Sequence, residues 1–416
     1  MKKILLVLLI SASAYSSAQE MDRGGNPALT PNPRTISQSE AEAAIGDNDM
    51  AGINLLREVL AYIKISYYKN IDMNSCIPGI LKSGISECTD RYSYYLDPVE
   101  AEREEKDFMT GELVGIGAGL ELNSEGGAKI LNVFEGSPAE KAGLQENDII
   151  IAISSGDKSN PDSMTDVGRM PLDKIVNLIR GEKGTTVNLL IVREKVRKKI
   201  SVTRGVVKIP FIKSKMLKEK IGYLRIHSFG GEVAEQSFDA IRRLSDSGAK
   251  ALIIDLRNNG GGKLDAVVDM CSWFAKTKNS SATVLYVKER VGPYQDVTIT
   301  GNRVAEFRNI KVVVLQNGNS ASASEIFSGY LQAEADAVVV GEKSFGKGIV
   351  QSLIPLGNKG KLHLTISEYF IGKKLIKVHG VGVIPTIELK PTKKADTEQN
   401  DELLQRAIQE AEKLLK

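Results

Sequence analysis

From residue 220 to about residue 341 the sequence alternates between short β-branched runs and amphipathic runs of helix length, and this limits the fold more than any other feature. The segment 223–226 precedes a helical pattern at 232–246, 251–256 precedes one at 263–276, and 311–316 precedes one at about 322–335. Residues 337–341 close the series. Strands that each lead into a helix point to an α/β domain built from βαβ-type units.

The stretch 112–206 differs in kind. Four β-branched segments (129–133, 148–153, 186–192 and 199–203) are separated by helix-like pieces at 138–142 and 172–179. Before it, Leu56, Val59, Leu60, Ile63 and Tyr67 recur at helical spacing over about 50–68. A second helical piece spans 77–85, and Asp97-Pro98 opens a charged helix at 98–107. At the far end, Leu403, Leu404, Ala407, Ile408, Ala411, Leu414 and Leu415 share one helical face, able to dock on the body or to make a dimer contact. A chain of 416 residues exceeds one ordinary core. The expected division is a signal peptide at 1–18, a flexible leader at 19–46 and a helical region at 47–107. A mostly β domain at 108–206, an α/β core at 207–395 and a terminal helix at 396–416 follow.

The first residues bear on the compartment. Lys2 and Lys3 precede an apolar run over 4–10, then small residues ending Ser16-Ser17-Ala18, the pattern of a secretory signal cut after Ala18. The run is far short of the ~20 residues that span a bilayer. No cysteine follows it, which argues against a lipid anchor, so the expected location is the periplasm or cell envelope. In an oxidising compartment Cys76 and Cys88 become disulfide candidates, whereas Cys271 lies in an apolar stretch beside Trp273 and Phe274. The 55 basic and 52 acidic residues are mixed along the chain, with no basic stripe of the kind that nucleic acid requires. No His/Cys cluster has metal-ligand spacing, and no cofactor is expected.

Two late segments carry chemistry. Ser320, Ser322 and Ser324 alternate with alanines where a strand gives way to a helix, and Lys347 follows in Gly346-Lys-Gly-Ile-Val-Gln351. Serine needs a base, and a neutral lysine amine can serve. Ser322-x-x-Glu325 also reads as a capping box, a role compatible with a nucleophile at a helix N-terminus. Gly341-x-x-x-x-Gly346-Lys347 misses a phosphate-binding loop, because Gly348 replaces the Ser or Thr and a strand pattern follows. A Ser-His-Asp arrangement from Ser320, Asp336 and His363 or His379 is the alternative hydrolase, with His227 placed at a strand end.

Gly115-Ile-Gly-Ala-Gly-Leu120 lets successive amides face one concavity, suited to an anion. With Gly136-Ser-Pro-Ala-Glu-Lys-Ala-Gly-Leu144, the order of elements resembles a PDZ domain of the circularly arranged kind in bacterial envelope proteases. The resemblance implies that a peptide C-terminus adds as a strand, its carboxylate held at Gly115, Ile116, Gly117 and Ala118.

Leu252-Ile-Ile-Asp-Leu-Arg-Asn-Asn-Gly-Gly-Gly262, the serine–alanine run and Phe345-Gly-Lys-Gly-Ile-Val-Gln351 resemble the carboxy-terminal processing proteases, serine peptidases of the S41 family. Asp90-Arg-Tyr-Ser-Tyr-Tyr-Leu-Asp97 and Gly380-Val-Gly-Val-Ile-Pro385 extend the likeness over about 50–390. It implies an α/β multidomain protein with a catalytic core of the S41/ClpP-crotonase-like type. Ser322 would be the nucleophile, Lys347 the base, and Gln351 the residue that orients it. Gly261 and Ala323 would supply oxyanion amides, although Gly260 stands where many members have proline, leaving Gly261 and its neighbours as alternatives. Substrates would be C-terminal tails of unfolded or tail-exposed envelope proteins, with the PDZ domain able to gate the site and room for an adaptor or a homodimer. The rival of another class is a peptide-binding scaffold with an inactive core.

Overall fold

The computed structural model describes residues 38–416 except 135, 155–162, 171, 209 and 393–396. The expected signal peptide and residues 19–37 of the expected leader lie outside these residues, and the rest of the leader is corrected: Gln38–Ala44 is a helix, not a flexible segment. No described helix is long and apolar enough to cross a membrane.

The βαβ alternation builds one sheet. Ile221–Ile226, Ala251–Asp255, Lys311–Gln316, Val338–Gly341 and Ile387–Glu388 run parallel in that order, and Ile212–Lys218 pairs antiparallel at one edge. The pleat sends alternate residues to opposite faces. Leu252, Ile254, Val312 and Val314 pack with residues of the helices Val233–Asp246, Leu264–Ser272 and Ala323–Glu334. Ala251, Ile253, Val313 and Leu315 pack on the other face against Leu403, Leu404, Ala407, Ile408 and Ala411 of the helix Glu402–Leu414. The terminal helix therefore docks on its own chain. Its N-cap Asp401 also pairs with Arg257, which ion-pairs in turn with the buried Asp255.

A second sheet was not legible as such. Lys361–Ile371 lies at its centre, pairing with Ile349–Pro355, Ser281–Glu289 and Ile376–Lys377. It also takes in Tyr94–Leu96, so the N-terminal region is not only helical: it adds a strand to this second sheet. The mostly β domain has its own core, in which Ile130, Ile150, Ile175, Leu189 and Ile191 are fully buried. Its strand Ala118–Leu122 sits at the edge of the sheet.

The proposed Cys76–Cys88 bridge is corrected. Both are free thiols, and both lie in the helix Met73–Cys88. At 1.5 Å per residue that helix holds them about 18 Å apart, far beyond disulfide reach. Cys271 is free and buried, as its apolar surroundings suggested.

Candidate active site

Ser322 stands at the C-terminal end of a central parallel strand, immediately before the helix Ala323–Glu334. Its backbone has φ 56° and ψ −117°, a conformation that costs a non-glycine residue about 1–3 kcal/mol and marks sharp strand-to-helix turns at functional sites. The neighbouring serines are committed elsewhere. Ser320 donates to the Leu256 carbonyl (2.9 Å), and Ser324 donates to the Asn259 carbonyl (2.8 Å). Both lock the serine turn to the loop after Asp255. Gly261 packs against the same turn: a Cβ there would lie 2.8 Å from Ser322 Cβ and 2.9 Å from the Ala321 carbonyl, and its φ is +110°. Only glycine fits.

Lys347 is buried, with 8% of its surface exposed. Its amine donates to Gln351 Oε1 at 2.7 Å and lies 5.1 Å from the centre of the Tyr92 ring. Burial pushes the amine down to about 8, against the pull of Asp90, Glu325 and Glu104, which favour the charged form. A strand, Ile349–Pro355, follows the lysine, so no phosphate-binding helix is formed. Among the described residues the amine is held by Gln351 rather than by the Ser322 hydroxyl.

Glu325 is the residue whose part the sequence reading understated. The capping box named it only as a helix partner. Its Oε2 accepts the amides of both Ser322 (2.9 Å) and Lys347 (2.8 Å), and its Oε1 accepts Gly346 N (2.6 Å) and Ser344 Oγ (2.5 Å). Two such bonds to one oxygen place the Ser322 and Lys347 amides within about 6 Å of each other. Burial pushes the Glu325 carboxyl up, and its four donors work against that shift. Tyr369 adds a second clip, its one hydroxyl proton shared between the carbonyls of Lys347 (2.9 Å) and Ser322 (3.2 Å). The spacing Ser-x-x-Glu was visible; that the same carboxylate reaches a loop 22 residues later was not.

Of the two expected oxyanion amides, Ala323 opens the helix, where first-turn amides have no helical acceptor. The Gly261 amide donates to Asn259 Oδ1 at 2.9 Å. Gly262, Ser322, Ala323, Gln351 and Tyr369 line a cavity of about 20 Å³ beside the serine, room for about one water. The histidine alternative finds no support here. The Ser320 hydroxyl is bonded to backbone, Asp336 is exposed and paired with Lys276, and the buried His363 lies 3.0 Å from Glu104 and stacks on Tyr94.

In the mostly β domain, Gly115, Ile116, Gly117 and Ala118 line a cavity with Val176, Ile179 and Arg180. A Cβ on Gly117 would lie 2.4 Å from Ser137 Cβ, and its φ is +77°, so the loop requires glycine there. Asp107 reaches the same cavity from the preceding helix, Pro98–Thr110. Burial raises its carboxyl to about 6, with Arg180 opposing the shift. Among the described residues no cluster of three or more His, Cys, Asp or Glu side chains could hold a metal ion.

Comparison with known proteins places this geometry. Residues 220–389 match peptidase family S41, and residues 106–192 match the PDZ domain. A "Probable CtpA-like serine protease" of Staphylococcus haemolyticus is 30% identical over 355 residues, 85% of this chain and 68% of that one. The carboxy-terminal processing protease CtpB of Bacillus subtilis is 29% identical over 394 residues, 94% of this chain and 78% of that one. Among solved structures, the photosystem II D1 C-terminal processing protease shares the fold, with TM-score 0.58 and 22% identity over 84% of this chain and 89% of that one. The chain therefore belongs to peptidase family S41, as a serine peptidase of the carboxy-terminal processing type with a PDZ domain.

Proposed function

We propose that the chain is an exported endopeptidase that cleaves by a Ser322/Lys347 dyad and selects substrates by their C-termini. The observation that carries the dyad is the single Glu325 oxygen shared by the Ser322 and Lys347 amides, with a buried amine beside it. In this reading Lys347, neutral in a useful fraction near pH 8, turns from Gln351 to take the Ser322 proton. Ser322 attacks the scissile carbonyl, the C–N bond breaks as the protonated Lys347 gives its proton to the leaving amine, and water then hydrolyses the acyl-enzyme. The Ala323 amide and a glycine amide of 261–262 receive the oxyanion. Gln351 directs the amine between these steps.

The substrate tail adds to the unpaired edge of Ala118–Leu122, with its carboxylate at Gly115–Ala118. Gating of the site by tail capture in the PDZ domain belongs to the same reading. Unfolded or tail-exposed envelope proteins are the substrate class. A homodimer belongs to the same reading. The helix Asp47–Ser66 exposes Leu55, Leu56, Val59, Tyr62 and Ile65, and places Asp49 towards one end and Lys64 at the other, which suits antiparallel contact with a second copy. Sedimentation that is monomeric and unchanged by Leu56→Glu would remove the dimer.

The test of tail selection is cleavage of one protein carrying an apolar C-terminal tail, with a free or an amidated carboxylate, in EDTA. Faster cleavage of the free acid is expected. Equal rates would overturn C-terminal capture, and loss of all turnover in EDTA would overturn the metal-free mechanism.

A further inference from the structure

The base does not sit among residues of the protease core alone. Lys347 Nζ lies 5.1 Å from the centre of the Tyr92 ring, within the ~6 Å over which a ring face attracts a cation. The Tyr92 carbonyl accepts from Gln351 Nε2 at 2.5 Å, and Gln351 Oε1 accepts from Lys347 Nζ at 2.7 Å. A carbonyl can only accept, so the end of Gln351 that faces it must be the NH₂, and the end that faces the lysine must be oxygen. Tyr92 thus fixes which way Gln351 points and supplies the surface on which the amine rests. It is itself held: Asp90 Oδ1 accepts the amides of Tyr92 and Ser93, both at 2.8 Å, and Ser93 Oγ accepts Thr365 N at 3.1 Å from the central strand of the second sheet. All of these N-terminal residues precede both matched families, which begin at 106 and 220.

We infer that Tyr92 is a positioning residue for the general base, so that the segment before the PDZ domain sets the direction and protonation of Lys347. The inference rests on the Ser322/Lys347 reading. Ring and carbonyl act on different atoms: the ring favours the ammonium form, and the carbonyl orients Gln351. The other charged groups acting on the amine are Asp90, Glu325 and Glu104, which favour its charge, and Arg91, which opposes it. Arg91 also lies over the Tyr92 ring at 4.7 Å and donates to its hydroxyl. For this reason the phenylalanine variant is the proper reference for the ring's effect.

The experiment is the pH profile of kcat and kcat/KM for Tyr92→Phe and for mono-, di- and trifluorinated phenylalanine at position 92, in the full chain. Fluorination keeps the shape of the ring and drains negative charge from its face, weakening its hold on the ammonium. The acid limb should move stepwise to lower pH, by no more than about one pH unit in all, with KM unchanged. Tyr92→Leu, which removes the ring at a half-buried site, should show the same direction of shift. Lys347→Arg is run in parallel. If that variant is inactive and the acid limb stays fixed or moves upward across the series, the inference about Tyr92 is overturned alone. If Lys347→Arg retains turnover, the dyad reading falls and takes this inference with it.

Discussion

At the scale of residues, the site is organised by one carboxylate and one amine. An amine lowered to about 8 is mostly protonated at pH 6 and mostly neutral at pH 9. Because a base acts in its neutral form, kcat/KM should rise roughly tenfold per pH unit below about 8 and level off above it. A profile flat from pH 6 to 9 would contradict this. Glu325→Gln tests the clip. The amide replaces one of the acceptor oxygens with a donor that must face N–H groups, so activity should be lost and stability should fall by roughly 3 kcal/mol. A melting curve and an activity profile like those of the wild type would show the clip to be dispensable. Ser322 and Lys347 were legible because each sits in a short motif whose residue types name the chemistry. Glu325's reach to the lysine loop was not, since a contact across 22 residues leaves no local pattern. Tyr92 lies in a segment whose resemblance was noted without any role for its ring.

At the scale of elements, periodicity served well wherever neighbours in sequence are neighbours in space. The 172–179 helix and the 311–316 strand have the bounds read from the sequence, and most others differ by a few residues. The second sheet was missed because its long strand Lys361–Ile371 is only partly buried and gathers partners from residues 94 to 377. Tyr94–Leu96, three residues long, is too short to show alternation. The bridge between Cys76 and Cys88 failed because the helical piece read at 77–85 extends over Met73–Cys88 and takes in both cysteines. A prediction belongs to the PDZ groove. Asp107 shares its cavity with Arg180 and titrates near 6, so above that pH its negative charge opposes an incoming carboxylate. Asp107→Asn should tighten binding of a free-acid tail peptide several-fold at pH 8 and much less at pH 5, measured by calorimetry. Equal affinities for the two proteins at pH 8 would refute the argument.

At the scale of the molecule, three regions meet in one function. The parallel sheet presents Ser322 and the Gly261 loop at the C-terminal ends of its strands, where α/β sheets place their sites. The N-terminal segment completes the surroundings of Lys347, and the PDZ domain has Ala118–Leu122 as the terminal strand of its sheet. The terminal helix seals the far face and, through Asp401 and Arg257, is tied to the strand that leads into the glycine loop. Everything in this account turns on a neutral lysine amine taking the proton of a serine hydroxyl, which then attacks as the nucleophile. The most direct measurement is mass mapping of the fragments released from a tailed model protein by the wild type, Ser322→Ala, Ser320→Ala and Lys347→Arg, each checked for a native melting curve. The account predicts the same fragments from the wild type and Ser320→Ala, and none from Ser322→Ala or Lys347→Arg. Wild-type fragments from a folded Lys347→Arg protein would contradict it.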